Sequence, residues 1–208
     1  VGPLLAGPVV SDFGETKTGE VVKKIALENK QGMKVEIITY GATIKGIFVP
    51  DREGTPGNVV DTANSIEDYE KFNAAASVIG RVANRIKGAR FELDGEVFNL
   101  TKNSGENCIH GGKPGFDRVV WKLESRDQAA ASASVVLSYL SKDGEAGFPG
   151  NLLTKVTYSL TDKNELKIQY HATTDRATVV NLTNHAYFNF SGKGTALDHV
   201  LWIPSKSY

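Results

Sequence analysis

Apolar residues fall along this chain in short runs broken by Gly, Pro, Asn and Asp. The runs rich in β-forming residues are VVKKIALEN (21–29), MKVEIITY (33–40), TIKGIFVP (43–50), VVWKLES (119–125), ASVVLSYLS (133–141), LLTKVTYSLT (152–161), ELKIQYHATT (165–174), TVVNLTNHAYFNF (178–190) and HVLWIPS (199–205). Each predicts a strand. RFELDGEVFNL (90–100) predicts a hairpin turning at Asp94-Gly95, a pair suited to a type I′ turn. SIEDYEKF (65–72) predicts one short helix, with Ser65 as N-cap and acidic residues in its first turn. Two Gly-Pro pairs near the start predict a loose arm over residues 1–12. Many strands, regular turns and almost no helix predict one all-β domain over residues 1–208, an antiparallel sandwich or barrel.

The run V-N-L-T-N-H-A-Y-F-N-F (180–190) is unusual for a strand because it holds a histidine among three asparagines. Strand alternation places Leu182, Asn184, Ala186, Phe188 and Phe190 on one face and Asn181, Thr183, His185, Tyr187 and Asn189 on the other. The second face is a row of hydrogen-bonding groups around an imidazole. Taken by itself it reads slightly better as a solvated face than as the wall of a pocket for a hydroxyl-rich ligand. Two more stretches raise the same choice. In IGRVANRI (79–86), Asn84 and Arg85 suit a polyol or a carboxylate, although a loop arginine in a surface ion pair is the simpler reading. In NCIHGG (107–112), His110 precedes two glycines that permit a close backbone approach to a ligand, or simply form a turn. Asp143 and Glu145 lie close together in KDGEAGFPGN (142–151), where a turn-shaping role outweighs acid–base work.

Composition removes several function classes. The 24 basic and 24 acidic residues balance, which argues against a nucleic-acid partner. No apolar run has the length of a membrane span, so no membrane partner is expected. Cys108 is the single cysteine, which excludes an intrachain disulfide and a cysteine-based zinc site. The four histidines lack the H-x-H and H-E-x-x-H spacings, so no metal is expected. G-x-S-x-G, the P-loop and G-x-G-x-x-G are all missing. The chain begins at Val1 and its one methionine is Met33. The compartment therefore stays open: cytoplasmic, or exported if a signal peptide precedes Val1. Oligomeric state is not legible.

Six stretches, in this order, resemble the aldose 1-epimerases, the galactose mutarotase family: YGATI (40–44), VPDREG (49–54), IGRVANRIKGARFELDG (79–95), NCIHGGKPGFDRVVW (107–121), LSYLSKDGEAGFPGNL (137–152) and VNLTNHAYFNFSG (180–192). NVVDTANSIEDY (58–69) departs from the family's usual DVVLG. The resemblance implies a large antiparallel β-sandwich of the galactose mutarotase type, with no metal or organic cofactor and a small aldohexose as partner. It implies that Asn84 and Arg85 hold sugar hydroxyls, that His110 polarises the ring oxygen and that His185 is the general acid. The activity implied is interconversion of the α and β anomers of glucose or galactose. The alternative is a non-catalytic carbohydrate-binding module on the same scaffold. The family's general base, a glutamate, and a hydroxyl-binding aspartate lie near its C-terminus. No stretch here matches them, and neither Glu145 nor Glu165 sits in the right motif. The expectation is an N-terminal part of such a domain, carrying the acid half of the site.

Overall fold

The computed structural model describes residues 7–71 and 75–207. Residues 1–6 of the expected arm and Phe72 of the expected helix lie outside the described residues.

The first sheet is a five-stranded antiparallel meander. Its strands are β1 (Val9–Glu15), β2 (Val21–Glu28), β3 (Lys34–Ile38), β4 (Thr43–Pro50) and β5 (Pro56–Asn58), paired in chain order. Next come helix α1 (Ile66–Lys71) and the short strands β6 (Val78–Ile79), β7 (Arg85–Ile86), β8 (Arg90–Leu93), β9 (Glu96–Asn99) and β10 (Cys108–Ile109). A four-stranded antiparallel sheet follows, made of β11 (Lys122–Ala129), β12 (Ser132–Ser141), β13 (Leu152–Thr161) and β14 (Leu166–Thr174). The last strand is β15 (Thr183–Asn184).

The two large sheets face each other across one core. Ile25, Leu27, Val35, Ile37 and Ile44 from the first meet Val135, Leu137, Leu152, Val156, Tyr158 and Leu160 from the second. Alternation decides which side chains enter it. In β13, Leu152, Thr154, Val156, Tyr158 and Leu160 are buried, while Leu153 and Lys155 are exposed. Each large apolar side chain so buried contributes about 1.5–3 kcal/mol. Pairing of β12 with β13 runs without a break from Ser132↔Thr161 to Ser141↔Leu152, so a slip by one residue would turn ten side chains inside out on each strand. Polar bonds tie the layers together: Tyr158 Oη donates to the Ala42 carbonyl at 2.6 Å, and Asn29 Nδ2 donates to the Thr161 carbonyl at 2.7 Å.

Helix α1 covers the other face of the first sheet, packing Ile66 and Tyr69 on Val22, Ile38 and Tyr40. Ser65 caps it as expected, accepting from the Asp68 N–H at 3.3 Å. The β8–β9 hairpin turns at Asp94 and Gly95, both at positive φ (53° and 79°), as a type I′ turn requires.

Three expectations need correction. Residues 9–12 are not loose, because β1 starts at Val9 and pairs with β2 from Val9↔Ala26 onward. Residues 178–190 are not one strand. Asn181 bridges to Val82 in parallel, Thr183 and Asn184 pair with β6, and Phe188 bridges to Val60. Three successive partners prevent a single regular ladder. Residues 199–205 form no strand among the described residues, and Val200 and Trp202 stand 97% and 80% exposed.

Candidate active site

The site is assembled where the short ribbons meet. Strands β7 and β10 pair as Arg85↔Ile109 and Ile86↔Cys108, which brings Asn84 beside His110. The pairing of β15 with β6 fixes the start of the strip carrying His185, whose N–H donates to the Ser77 carbonyl at 3.0 Å. The rings of His110 and His185 then meet edge to face, with centroids 5.2 Å apart and an interplanar angle of 84°. The ring of Tyr187 lies against that of His185, with centroids 4.9 Å apart. His110, His185 and Tyr187, together with Asn103, Lys113, Asp117 and Arg118, line a cleft of about 720 Å³. That size suits a small molecule.

The glycines after His110 serve a purpose other than the expected one. A Cβ on Gly111 would lie 1.8 Å from the Gly80 carbonyl oxygen, and one on Gly112 would lie 2.3 Å from Thr101 Oγ1. Both residues sit at positive φ, 82° and 85°. The close approach they permit is to the protein itself, the Gly80 backbone for Gly111 and the Thr101 side chain for Gly112. Asn103 staples the same loop, accepting from the Ile109 N–H at 2.7 Å and donating to the Ile109 carbonyl at 2.9 Å.

Under this loop lies Arg81, 1% exposed. Its guanidinium donates to Ser141 Oγ (2.9 Å) and to the carbonyls of Pro149 (2.8 Å), Ser141 (3.0 Å), Lys142 (3.0 Å) and Gly150 (2.9 Å). The planar fork of five donors is what lets one side chain hold both ends of the loop between β12 and β13. Glu145 belongs to the same network, accepting from Tyr139 Oη at 2.7 Å and from Ser141 Oγ at 2.6 Å. Asp143 accepts from the Gly150 N–H at 2.5 Å. Both carboxylates shape the turn.

Asn84 and Arg85 are exposed and lie beside the cleft, outside its lining. Arg85 Nη1 donates to Asn84 Oδ1 at 3.3 Å, and the Asn84 N–H donates to His110 Nδ1 at 3.1 Å. Burial pushes the His110 imidazole below its ordinary pKa; the neighbouring His185 adds to this, Asp117 opposes it and Arg85 adds a smaller push. Burial raises the carboxyl of Asp117 above its usual range, and Arg118 and His110 pull it partly back. Among the described residues no group of three His, Cys, Asp or Glu converges as metal ligands would.

Sequence patterning did not single out Asp117, Arg118, Asn103 or Lys113. The available signal was contiguity, since KPGFDR follows His110-Gly111-Gly112 and must turn back past it.

Comparison with known proteins decides the family. The family model for aldose 1-epimerase matches residues 23–208. The chain belongs to the aldose 1-epimerase family. It is 40% identical over 202 residues to the galactose mutarotase of Sus scrofa, covering 95% of this chain and 57% of that one. It is 36% identical over 192 residues to the aldose 1-epimerase of Escherichia coli (strain K12), covering 91% and 54%. Among solved structures, the galactose 1-epimerase of Lactobacillus acidophilus NCFM superposes with a TM-score of 0.78 at 32% identity, covering 88% of this chain and 53% of that chain. An aldose epimerase homologue from C. elegans gives 0.75 at 35% identity, covering 82% and 51%. The epimerase fold expected from the sequence is therefore the observed one, an all-β antiparallel sandwich. The chain spans a little over half the length of the curated epimerases it matches.

Proposed function

We propose that the complete protein interconverts the α and β anomers of aldohexoses such as glucose and galactose, by acid–base opening and reclosure of the sugar ring. The observation that carries this reading is the pair of edge-to-face imidazoles, His110 and His185, in one polar cleft of small-molecule size. Ring opening needs a proton delivered to the ring oxygen while a base removes the proton of the C1 hydroxyl. Rotation about C1–C2 then lets the ring reclose on the other face. Imidazole, with an ordinary pKa near ~6.5, gives and regains a proton at neutral pH.

In this reading His185 is the acid and His110 a hydrogen-bond donor that polarises the ring oxygen. Asn84 and Arg85 hold hydroxyls at the cleft's rim, and Tyr187 bounds it. The base is the C-terminal glutamate that the family resemblance implies. The relatives, a mutarotase and epimerases, favour catalysis over a non-catalytic binding module.

The test is polarimetry on the complete protein with fresh α-glucose and α-galactose. Enzyme-dependent acceleration that survives EDTA is expected. No acceleration with either sugar sinks the reading. Loss with EDTA and recovery with a divalent ion would mean that the histidines act as ligands.

A further inference from the structure

A backbone N–H only donates. The N–H of Asn84 points at His110 Nδ1 from 3.1 Å, so that ring nitrogen is an acceptor and carries no proton. A neutral imidazole has one donor and one acceptor nitrogen, which leaves the proton on Nε2. The two residues are joined a second time, because the His110 N–H donates to the Asn84 carbonyl at 2.9 Å. This reciprocal clasp exists because both backbones take left-handed conformations, with φ of 60° at Asn84 and 53° at His110. Asn and His are the non-glycine residues, along with Asp, that accept this region most readily.

We infer that Asn84 is a positioning residue that acts through its backbone, fixing His110 as the neutral Nε2–H tautomer. His110 is then a permanent hydrogen-bond donor to the ligand, and proton exchange falls to His185. The two rings are chemically unequal although they share one cleft. A cationic His110 would place an N–H at Nδ1 against the N–H of Asn84, donor facing donor. The other charged or ionisable groups around the ring are His185 at its edge, Arg85 beyond Asn84, Asp117 in an ion pair with Arg118, and Lys113 in the cleft lining. Burial and the neighbouring His185 and Arg85 act against protonation, in the same direction as the clasp, while Asp117 opposes them. The side-chain Oδ1 of Asn84 accepts from Arg85 Nη1 at 3.3 Å, which leaves its amide N–H groups for a sugar hydroxyl.

The identity of the ligand rests on the epimerase reading; the tautomer does not. The decisive measurement is a two-bond ¹⁵N–¹H spectrum of the complete protein labelled at histidine, at pH 7.5 without sugar. The expected pattern for His110 is an acceptor-type Nδ1 and a protonated Nε2. A protonated Nδ1, or a cation at that pH, overturns the inference. Two variants separate backbone from side chain. Asn84→Gly keeps access to positive φ, so it should keep the pattern while raising KM. Asn84→Val disfavours positive φ and should mix the tautomers, with kcat at least ~10-fold lower, a wrong tautomer being costly in catalysis. A folded Asn84→Val protein with the wild-type pattern and kcat overturns the assigned role. If that variant fails to fold, the wild-type and Asn84→Gly spectra decide. The expected tautomer in a protein without mutarotation would sink the epimerase reading alone.

Discussion

His110 sits on a loop clasped at its turn and stapled to its neighbours, whereas His185 sits on a strip that changes partner every few residues. The first imidazole has one nitrogen occupied by the Asn84 N–H and stands over glycines that leave no room for side chains. The second has its backbone held by Ser77 and Ala76, and its ring packs against the rings of His110 and Tyr187. Past it the chain becomes exposed, with Phe190 68% accessible. One histidine is a fixed dipole. For the other, no hydrogen bond holds a ring nitrogen among the described residues. Unequal fastening is a way to obtain two roles from one residue type, as environment divides two carboxylates in other acid–base sites.

The comparison breaks most violently at Arg81. Replacing it with Met strands the carbonyls of Ser141, Lys142, Pro149 and Gly150 and leaves Glu145 without its buried cation. Removal of one partner from a buried charged network costs about 3–5 kcal/mol. Urea unfolding of the complete protein should show a loss of that order, together with lost activity, because the loop carrying His110 rests on this frame. A loss below about 1 kcal/mol would mean that the loops support themselves.

At His185 the effect should be on rate alone. His185→Ala in the complete protein should slow mutarotation by at least ~10²-fold, equivalent to about 2.7 kcal/mol of barrier. The midpoint of unfolding should stay close to wild type, since the ring contributes to the cleft and not to the core. Near-normal turnover in the folded variant would remove His185 from the mechanism.

Gly111→Ala sharpens the contrast from the other side. A residue other than Gly at φ 82° costs about 1–2 kcal/mol, and its Cβ would collide with the Gly80 carbonyl. Stability should fall by at least that amount, and the His110 tautomer pattern should blur as the loop lifts. An unchanged melting curve would show that the loop relaxes freely, against the view that it is over-determined.

The same contrast explains what the sequence made legible. Long strands with clear alternation, β12 and β13, were readable because their partners are neighbours in the chain. The Asp94-Gly95 hairpin was readable because its turn chemistry is local. The strip at 178–190 carries the same β-forming residues, but its partners are Val82, β6 and Val60, all far upstream, and local pattern has no access to that. β1 was missed because two Gly-Pro pairs spoke louder than Val9 and Val10. At the cleft, motif order pointed to His110 and His185, which line it, and to Asn84 and Arg85, which lie beside it. Their geometry was not legible, because it depends on a clasp between residues 26 positions apart. Arg81 was invisible as a structural hub, since a buried arginine and a surface one read alike in sequence.

The smallest expected effect concerns pH. The His110 imidazole is held below its ordinary value, chiefly by burial. The unfolded chain therefore binds a proton at this residue more readily than the folded one. By linkage, stability then increases with pH across the interval between the folded value and the unfolded value near ~6.5. Above that interval both states are neutral there and His110 contributes no slope. As the solution is acidified through it, folding must either hold the ring neutral or place a cation beside Arg85 and His185, and stability falls. His110→Gln removes the titration while keeping a polar side chain. The drop in urea midpoint between pH 7.5 and pH 5.5 should therefore be smaller in His110→Gln than in the wild type. His185→Gln serves as the matched comparison, since it changes the neighbouring ring and leaves the bond from Asn84 to His110 in place. A pH dependence identical in wild type and His110→Gln would mean that the clasped histidine is no harder to protonate than a free one, and the claimed inequality of the two rings would lose its electrostatic half.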